Sequence, residues 1–203
     1  VECVPSAERR INPSSLESYQ HPSNDAPMHL KSDAGAAASG LSPADFGTLV
    51  HDCLYKWASG SPLESYEPPA ELLKGIEAAK GNAAAAECIR LCTVFAESET
   101  GRAFLAAKKA GRFYRAEWGF KNSGGGGAII SGSMDLVFEN ADQTYTIIDY
   151  KTDAAFEPER HYAQLACYKR AAADLLHVPQ ERIRTVLYFL RHAQTAEGSP
   201  EPQ

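Results

Sequence analysis

Two apolar runs, each carrying an acid near its middle or end, constrain this chain more than anything else in it. Ala128 to Glu139 and Thr144 to Lys151 read as strands, and Asn140-Ala141-Asp142-Gln143 between them reads as a hairpin turn. Successive side chains of a strand alternate between its faces. Asp149 and Lys151 therefore share one face, and Ile148 and Tyr150 point the other way. Antiparallel pairing can set Asp135, on the preceding strand, beside Asp149 on the same face. Two neighbouring carboxylates repel, and a divalent cation relieves that repulsion. Carboxylate oxygens suit Mg²⁺ or Mn²⁺. A lysine beside them can orient or deprotonate a water, or neutralise charge developing at phosphorus. The plainer alternative is a surface strand with an exposed Asp149–Lys151 pair, and D-x-K alone does not separate the two.

The flanking elements set the fold class. Ser42-Pro43-Ala44-Asp45 opens a helix with proline at its first position, and Phe46, Val50, Leu54 and Trp57 recur at helical spacing until Gly60. Further helices are expected over 69–80, 83–98 and 100–110, in alanine-rich sequence. A strand follows at 112–120. The glycine-rich turn from Ser123 to Gly127 is not a phosphate loop, because no G-K-[ST] follows. Gly132 reads as a bulge or a point of close approach. A helix is expected over 158–177, with Tyr162, Leu165, Tyr168, Leu175 and Leu176 as its apolar stripe, then a strand over 182–191. Helices, three strands, a helix and a strand make an α/β fold. Its mixed central β-sheet is flanked by helices, with a helical region at the N-terminal side. Residues 1–40 read as a linker or loose segment, with one short helix signalled by the Ser14/Glu17 capping box. One domain is expected over 41–194, and a frayed polar tail over 195–203.

Charge limits the partners. Lys plus Arg is 20 against 26 Asp plus Glu, a net charge of −6, so bulk charge does not hold this chain to nucleic acid and a local basic groove is required. Arg112, Arg115, Lys121, Lys169 and Arg170 could contact phosphates or simply face solvent. No apolar run is long enough to span a membrane, and the start at Val1 is not a signal peptide. The absence of an initiator methionine points to a piece of a longer polypeptide. The cysteines are Cys3, Cys53, Cys88, Cys92 and Cys167, an odd number without a C-x-x-C pair. Buried free thiols in a reducing cytosol are expected. Cys88 and Cys92, one helical turn apart, lack the two further ligands that a metal site needs.

Gly132-Ser133-Met134-Asp135, Asp149-Tyr150-Lys151 and Gln164-Leu165-Ala166-Cys167-Tyr168 resemble the G-x-x-D, D-x-K and Q-x-x-x-Y motifs of the RecB-type nucleases. These belong to the restriction-endonuclease-like, or PD-(D/E)XK, superfamily. Gly47-Thr48-Leu49-Val50-His51 is similar to the G-x-x-x-H helix motif of RecB and AddA nuclease domains, and Pro13-Ser14-Ser15-Leu16 to the segment that often opens them. The resemblance implies a restriction-endonuclease-like core holding Mg²⁺, with Mn²⁺ as the substitute. His51, Asp135, Asp149 and the Tyr150 carbonyl would be the ligands, and Asp135, Asp149 and Lys151 the catalytic set. Gln164 and Tyr168 would line the site, with Glu117 as a further acidic candidate. It implies no iron–sulfur cluster, since no cysteine follows Cys167, and no nucleotide site, since no P-loop is present. The expected partners are DNA, the helicase portion of a UvrD/Rep-like polypeptide, and a second subunit of an AddAB- or RecBCD-like complex. The setting would be DNA end processing and recombinational repair in a bacterial cytoplasm, with no membrane. A catalytically silent binding module and a stand-alone nuclease are the alternatives.

Overall fold

In the computed structural model, which describes residues 10–11, 40–123 and 129–198, the hairpin lies inside a six-stranded mixed sheet. The strands are β1 (Arg10–Ile11), β2 (Tyr114–Ser123), β3 (Ile129–Glu139), β4 (Tyr145–Lys151), β5 (Ile183–Phe189) and β6 (Gln194–Glu197). The helices are α1 (Pro43–Ser59), α2 (Ala78–Glu97), α3 (Glu99–Lys109) and α4 (Tyr162–Leu176). β3 pairs antiparallel with β2 and with β4, and β4 pairs parallel with β5 through the α4 crossover. This is the expected α/β architecture, with helices on both faces of a mixed sheet.

Each face buries its own layer. The even-numbered residues of the β4–β5 pair, Ile148, Tyr150, Tyr188 and Leu190, join Leu136 and Phe138 beneath α1–α3. The odd-numbered Ile147, Leu187 and Phe189 join Val137 beneath α4. Phe46, Leu49, Phe95 and Phe104 are fully enclosed in the first layer, and each such side chain contributes about 1.5–3 kcal/mol by leaving water.

Several expected boundaries move. The segment 69–80 is not one helix. Its backbone closes i→i+3 turns at Leu72, Leu73 and Ile76, and Gly75 takes a left-handed φ of 82°, which stops propagation. The next helix begins earlier than 83, at Ala78, and runs through Gly81. Leu73 lies over Gly81, so that glycine provides room and not a break. Gly132 forms no bulge; it pairs in register with Phe120. Thr195–Glu197, the start of the expected frayed tail, belong to β6, which pairs antiparallel with β5. Likewise Arg10–Ile11, within the expected linker, pairs parallel with Ile129–Ile130. The Ser14 capping box, Pro13–Leu16, Cys3 and the turn at 124–127 lie outside the described residues.

Candidate active site

The sheet opens at the two aspartates. The β3–β4 ladder runs from Glu139↔Tyr145 to Leu136↔Ile148 and ends there, so the next facing pair in that register is Asp135 and Asp149. Asp135 Oδ2 instead accepts the backbone N–H of Tyr150 at 2.7 Å. A side-chain carboxylate thus satisfies the donor that the parting strand leaves behind. On the other side of β3 the ladder skips one position, passing from Ala116↔Leu136 to Trp118↔Met134 without Glu117 and Asp135. Glu117 has a left-handed φ of 47°. Face alternation reverses at this point: Tyr114 and Ala116 pack under α1–α3, while Trp118 and Phe120 pack with the α4 layer. An irregularity of this kind re-aims side chains, and here it delivers Glu117 and Asp135 to the gap between the layers.

The α1 helix fills the gap from above. Ser42 Oγ caps its N-terminus by accepting from Asp45 N at 3.1 Å. Gly47 lets the first turns approach β4, because a Cβ there would lie 3.3 Å from Thr152 Oγ1. One turn later His51 Nδ1 lies 3.3 Å from Asp135 Oδ1 and 3.8 Å from Glu117 Oε1. Burial alone would lower the His51 imidazole pKa, but the charge and hydrogen bonding of Asp135, with Glu117 adding, hold it well above the usual value. Ser133 Oγ donates to Glu117 Oε2 at 3.1 Å and orients that carboxylate. The Tyr150 ring turns away into the helical layer, edge-on to His51 and Phe95.

The lysine arm lies on the α4 side. Lys151 Nζ is 2.9 Å from Asp149 Oδ2 and donates to Gln164 Oε1 at 2.9 Å. The Gln164 amide nitrogen donates to Tyr168 Oη at 2.7 Å, so the i, i+4 pair on α4 fixes which way the amide points. The Lys151 backbone is fixed too: its carbonyl accepts from Leu190 N at 2.9 Å, and Arg191 Nε donates to the next carbonyl, Thr152 O, at 2.8 Å. Burial pushes the Asp149 carboxyl up to about 6, with the Asp135 charge adding and the Lys151 ammonium opposing. Asp149 Oδ2 is buried, and the Lys151 ammonium is its close partner.

Potential metal ligands gather in two places among the described residues. One imidazole nitrogen and carboxylate oxygens of His51, Glu117 and Asp135 lie within 4.8 Å of one another, and so do the thiols of Cys53, Cys88 and Cys92. Asp149 does not join the first group, since its carboxylate faces Lys151. Hard oxygens with one imidazole fit a divalent ion such as Mn²⁺ or Mg²⁺. Residues 10–203 match the PD-(D/E)XK nuclease superfamily. The chain belongs to that superfamily. It is also 26% identical, over 166 residues, to an ATP-dependent helicase/nuclease subunit of Exiguobacterium sibiricum. That match covers 73% of this chain and 13% of the relative, so the chain spans only a small part of the protein it resembles.

Within the superfamily frame, sequence reasoning gave one residue a lesser place and missed another feature. Glu117 stands with His51 and Asp135, where Asp149 was expected, and its one sequence signal was an acid inside an aromatic strand. Cys53 completes a thiol trio with Cys88 and Cys92, invisible in spacing because it comes from another helix. Of the candidate phosphate-binding cations, Arg112 donates to Glu139 O, and Arg115 lies over the Phe113 ring, so both have structural work. Lys121 lines a groove of about 650 Å³ with Gly119, Ser131, Gly132 and Ser133.

Proposed function

We propose that this domain is a divalent-metal-dependent nuclease that hydrolyses DNA phosphodiester bonds at the parting of β3 and β4. The observation that carries the reading is the joint placement, around one gap in the sheet, of an acid–imidazole group and a lysine held between a carboxylate and an oriented amide. A catalytically silent domain has no need to bury an Asp149 carboxylate beside Asp135.

His51, Glu117, Asp135 and Asp149 would hold Mg²⁺ or Mn²⁺, with the Tyr150 carbonyl as a further ligand. Bound there, the ion supplies Lewis-acid polarisation of a phosphate oxygen and makes water a better nucleophile. The chain's own residues do the rest. Asp135 keeps its orientation because the Tyr150 N–H fixes one of its oxygens. His51 must give up its proton to offer a lone pair. The Lys151 ammonium, held by Asp149 and Gln164, is in place to stabilise charge developing at phosphorus. Gln164 and Tyr168 position that lysine. The groove along β2 and β3 meets the site through Ser133 and offers the DNA strand a path beside Lys121.

The wider role follows the relative's description. The domain would be the nuclease part of an AddA-type helicase–nuclease, working with a helicase portion of the same polypeptide and a second subunit in bacterial DNA end processing and recombinational repair. Such a protein works in the cytoplasm. No helix among the described residues is long and apolar enough to cross a membrane. The test is Mg²⁺-dependent cleavage of labelled single- and double-stranded DNA by wild type and Lys151→Ala. The variant should lose at least about 100-fold in rate. Undiminished cleavage by the variant would refute the assigned lysine.

A further inference from the structure

The trio of cysteines lies in the helical layer, apart from the site above. Cys53 comes from α1, and Cys88 and Cys92 from consecutive turns of α2. All three are buried and free, with exposures of 1%, 0% and 0%. Their sulfurs lie within 4.8 Å of one another, the spacing of ligands around one ion. We infer that Cys53, Cys88 and Cys92 form a binding site for one thiophilic d¹⁰ cation, Zn²⁺ or Cu⁺, clasping α1 to α2.

Three further observations support the site. The first is access. A cavity of about 190 Å³ has Cys53 in its wall, together with Lys56, Trp57, Leu63 and Tyr66. It gives an ion a way in, and gives a fourth, exogenous ligand a place beside the Cys53 side of the trio. The second is satisfaction of the backbone. As thiols, Cys88 and Cys92 donate to Leu49 O at 3.6 Å and Val50 O at 3.9 Å. Both carbonyls lie inside α1, where residues 53 and 54 supply their helical N–H donors, and Leu49 O also accepts from Tyr66 Oη at 3.0 Å. Each thiol that binds the ion releases its proton to water and leaves no orphaned carbonyl behind. The third is charge. Three thiolates around Zn²⁺ leave one net negative charge, and Lys56, which also pairs with Asp52 at 2.9 Å, stands on the same cavity wall. Soft sulfur ligands select Zn²⁺ or Cu⁺ over Mg²⁺, so the two groups of ligands would not compete for one ion.

The experiment is a Cd²⁺ titration of the reduced full chain, read in the ultraviolet thiolate-to-cadmium charge-transfer band. That band reports sulfur ligation alone, so an ion at His51 does not enter it. One equivalent should saturate it, excess Mg²⁺ should leave it unchanged, and prior loading with Zn²⁺ should raise the Cd²⁺ concentration needed to reach saturation. Cu⁺ and Zn²⁺ are distinguished by repeating the competition with chelators specific for each. Cys92→Ser should weaken Cd²⁺ binding at least about tenfold, and Cys167→Ser should not. Alkylation of wild type, mapped by peptide mass, serves if Cys92→Ser does not fold: Zn²⁺ should slow modification of Cys53, Cys88 and Cys92 together. The inference is overturned by a band that does not saturate near one equivalent, or by alkylation rates that Zn²⁺ leaves unchanged. Either result would make the trio a packing feature only.

Discussion

Asp135 accepts the backbone N–H of Tyr150 at 2.7 Å, so an acid of the candidate centre also closes the end of a sheet ladder. The two roles can be separated. Asn retains a carbonyl oxygen for the Tyr150 N–H but lacks the charge, whereas Ala strands a buried donor. Asp135→Ala is expected to destabilise the metal-free chain by about 1–3 kcal/mol in urea unfolding, and Asp135→Asn by much less. Both should abolish Mn²⁺ binding in calorimetry. Equal destabilisation by the two variants would show that the hydrogen bond carries no weight.

Lys151, Gln164 and Tyr168 form a relay in which each group orients the one before it. Tyr168→Phe removes the acceptor that fixes the Gln164 amide, and Gln164→Ala removes the amide itself. Each is expected to slow DNA cleavage about tenfold with little change in KM, because both act on the placement of Lys151. The double variant should be no slower than Gln164→Ala alone, since the two steps serve one arrangement. Multiplied losses would mean that Tyr168 acts independently of the amide.

The hairpin, the Asp149/Lys151 face and the Gln164/Tyr168 pair were legible because each depends on short-range geometry. Period two on a strand, period 3.6 on a helix and a turn of fixed length set those relations whatever the rest of the chain does. His51 and Asp135 were paired through the family resemblance, but the placement of Glu117 beside them, closer than Asp149, was not legible, and the reason lies at Glu117. Its left-handed backbone reverses the faces of β2 midway, and no residue type with a preference for that conformation announces it. Gly132 drew attention to the wrong position for the same reason: glycine marks conformational permission, while the irregularity came with a glutamate. The segment 69–80 failed because helix-forming side chains sit beside Gly75, whose left-handed φ prevailed over their propensity. β6 was missed because its residues are polar, as an edge strand's can be when only one ladder holds it.

Burial of Asp149 makes its ionisation a cost to the metal-free fold. Its carboxyl rises from an ordinary 3.8 to about 6, so the folded chain holds the proton more tightly than the unfolded chain. The penalty is absent below pH 4, grows from about pH 4 to 6, and is full above that range. Asp149→Asn, which imitates the protonated acid, should therefore stabilise the metal-free chain at pH 8 by on the order of 1–3 kcal/mol and leave it unchanged near pH 4. Thermal unfolding in a chelator across this range checks the sign. The same variant should lose DNA cleavage, so the stability gained and the activity lost share one carboxylate. A gain of equal size at both pH values would assign the effect to packing and not to charge.

Glu117 combines strain with charge. A non-glycine residue at φ 47° is held there by its surroundings, at a cost of order 1 kcal/mol. Asn tolerates that conformation better than Glu and carries no charge. It also removes an acid that lies 3.8 Å from His51 and shares its neighbourhood with Asp135. Glu117→Asn is accordingly expected to leave the metal-free fold as stable as wild type, or more stable by up to about 1 kcal/mol. It should weaken Mn²⁺ binding in calorimetry at least about tenfold. Glu117→Gln controls for charge, because it keeps the side-chain length and the unfavourable backbone preference; it should weaken binding without the gain in stability. If both variants bound Mn²⁺ as wild type does, Glu117 would be a partner of His51 and Ser133 alone, and the cation's ligands would be His51 with the two aspartates.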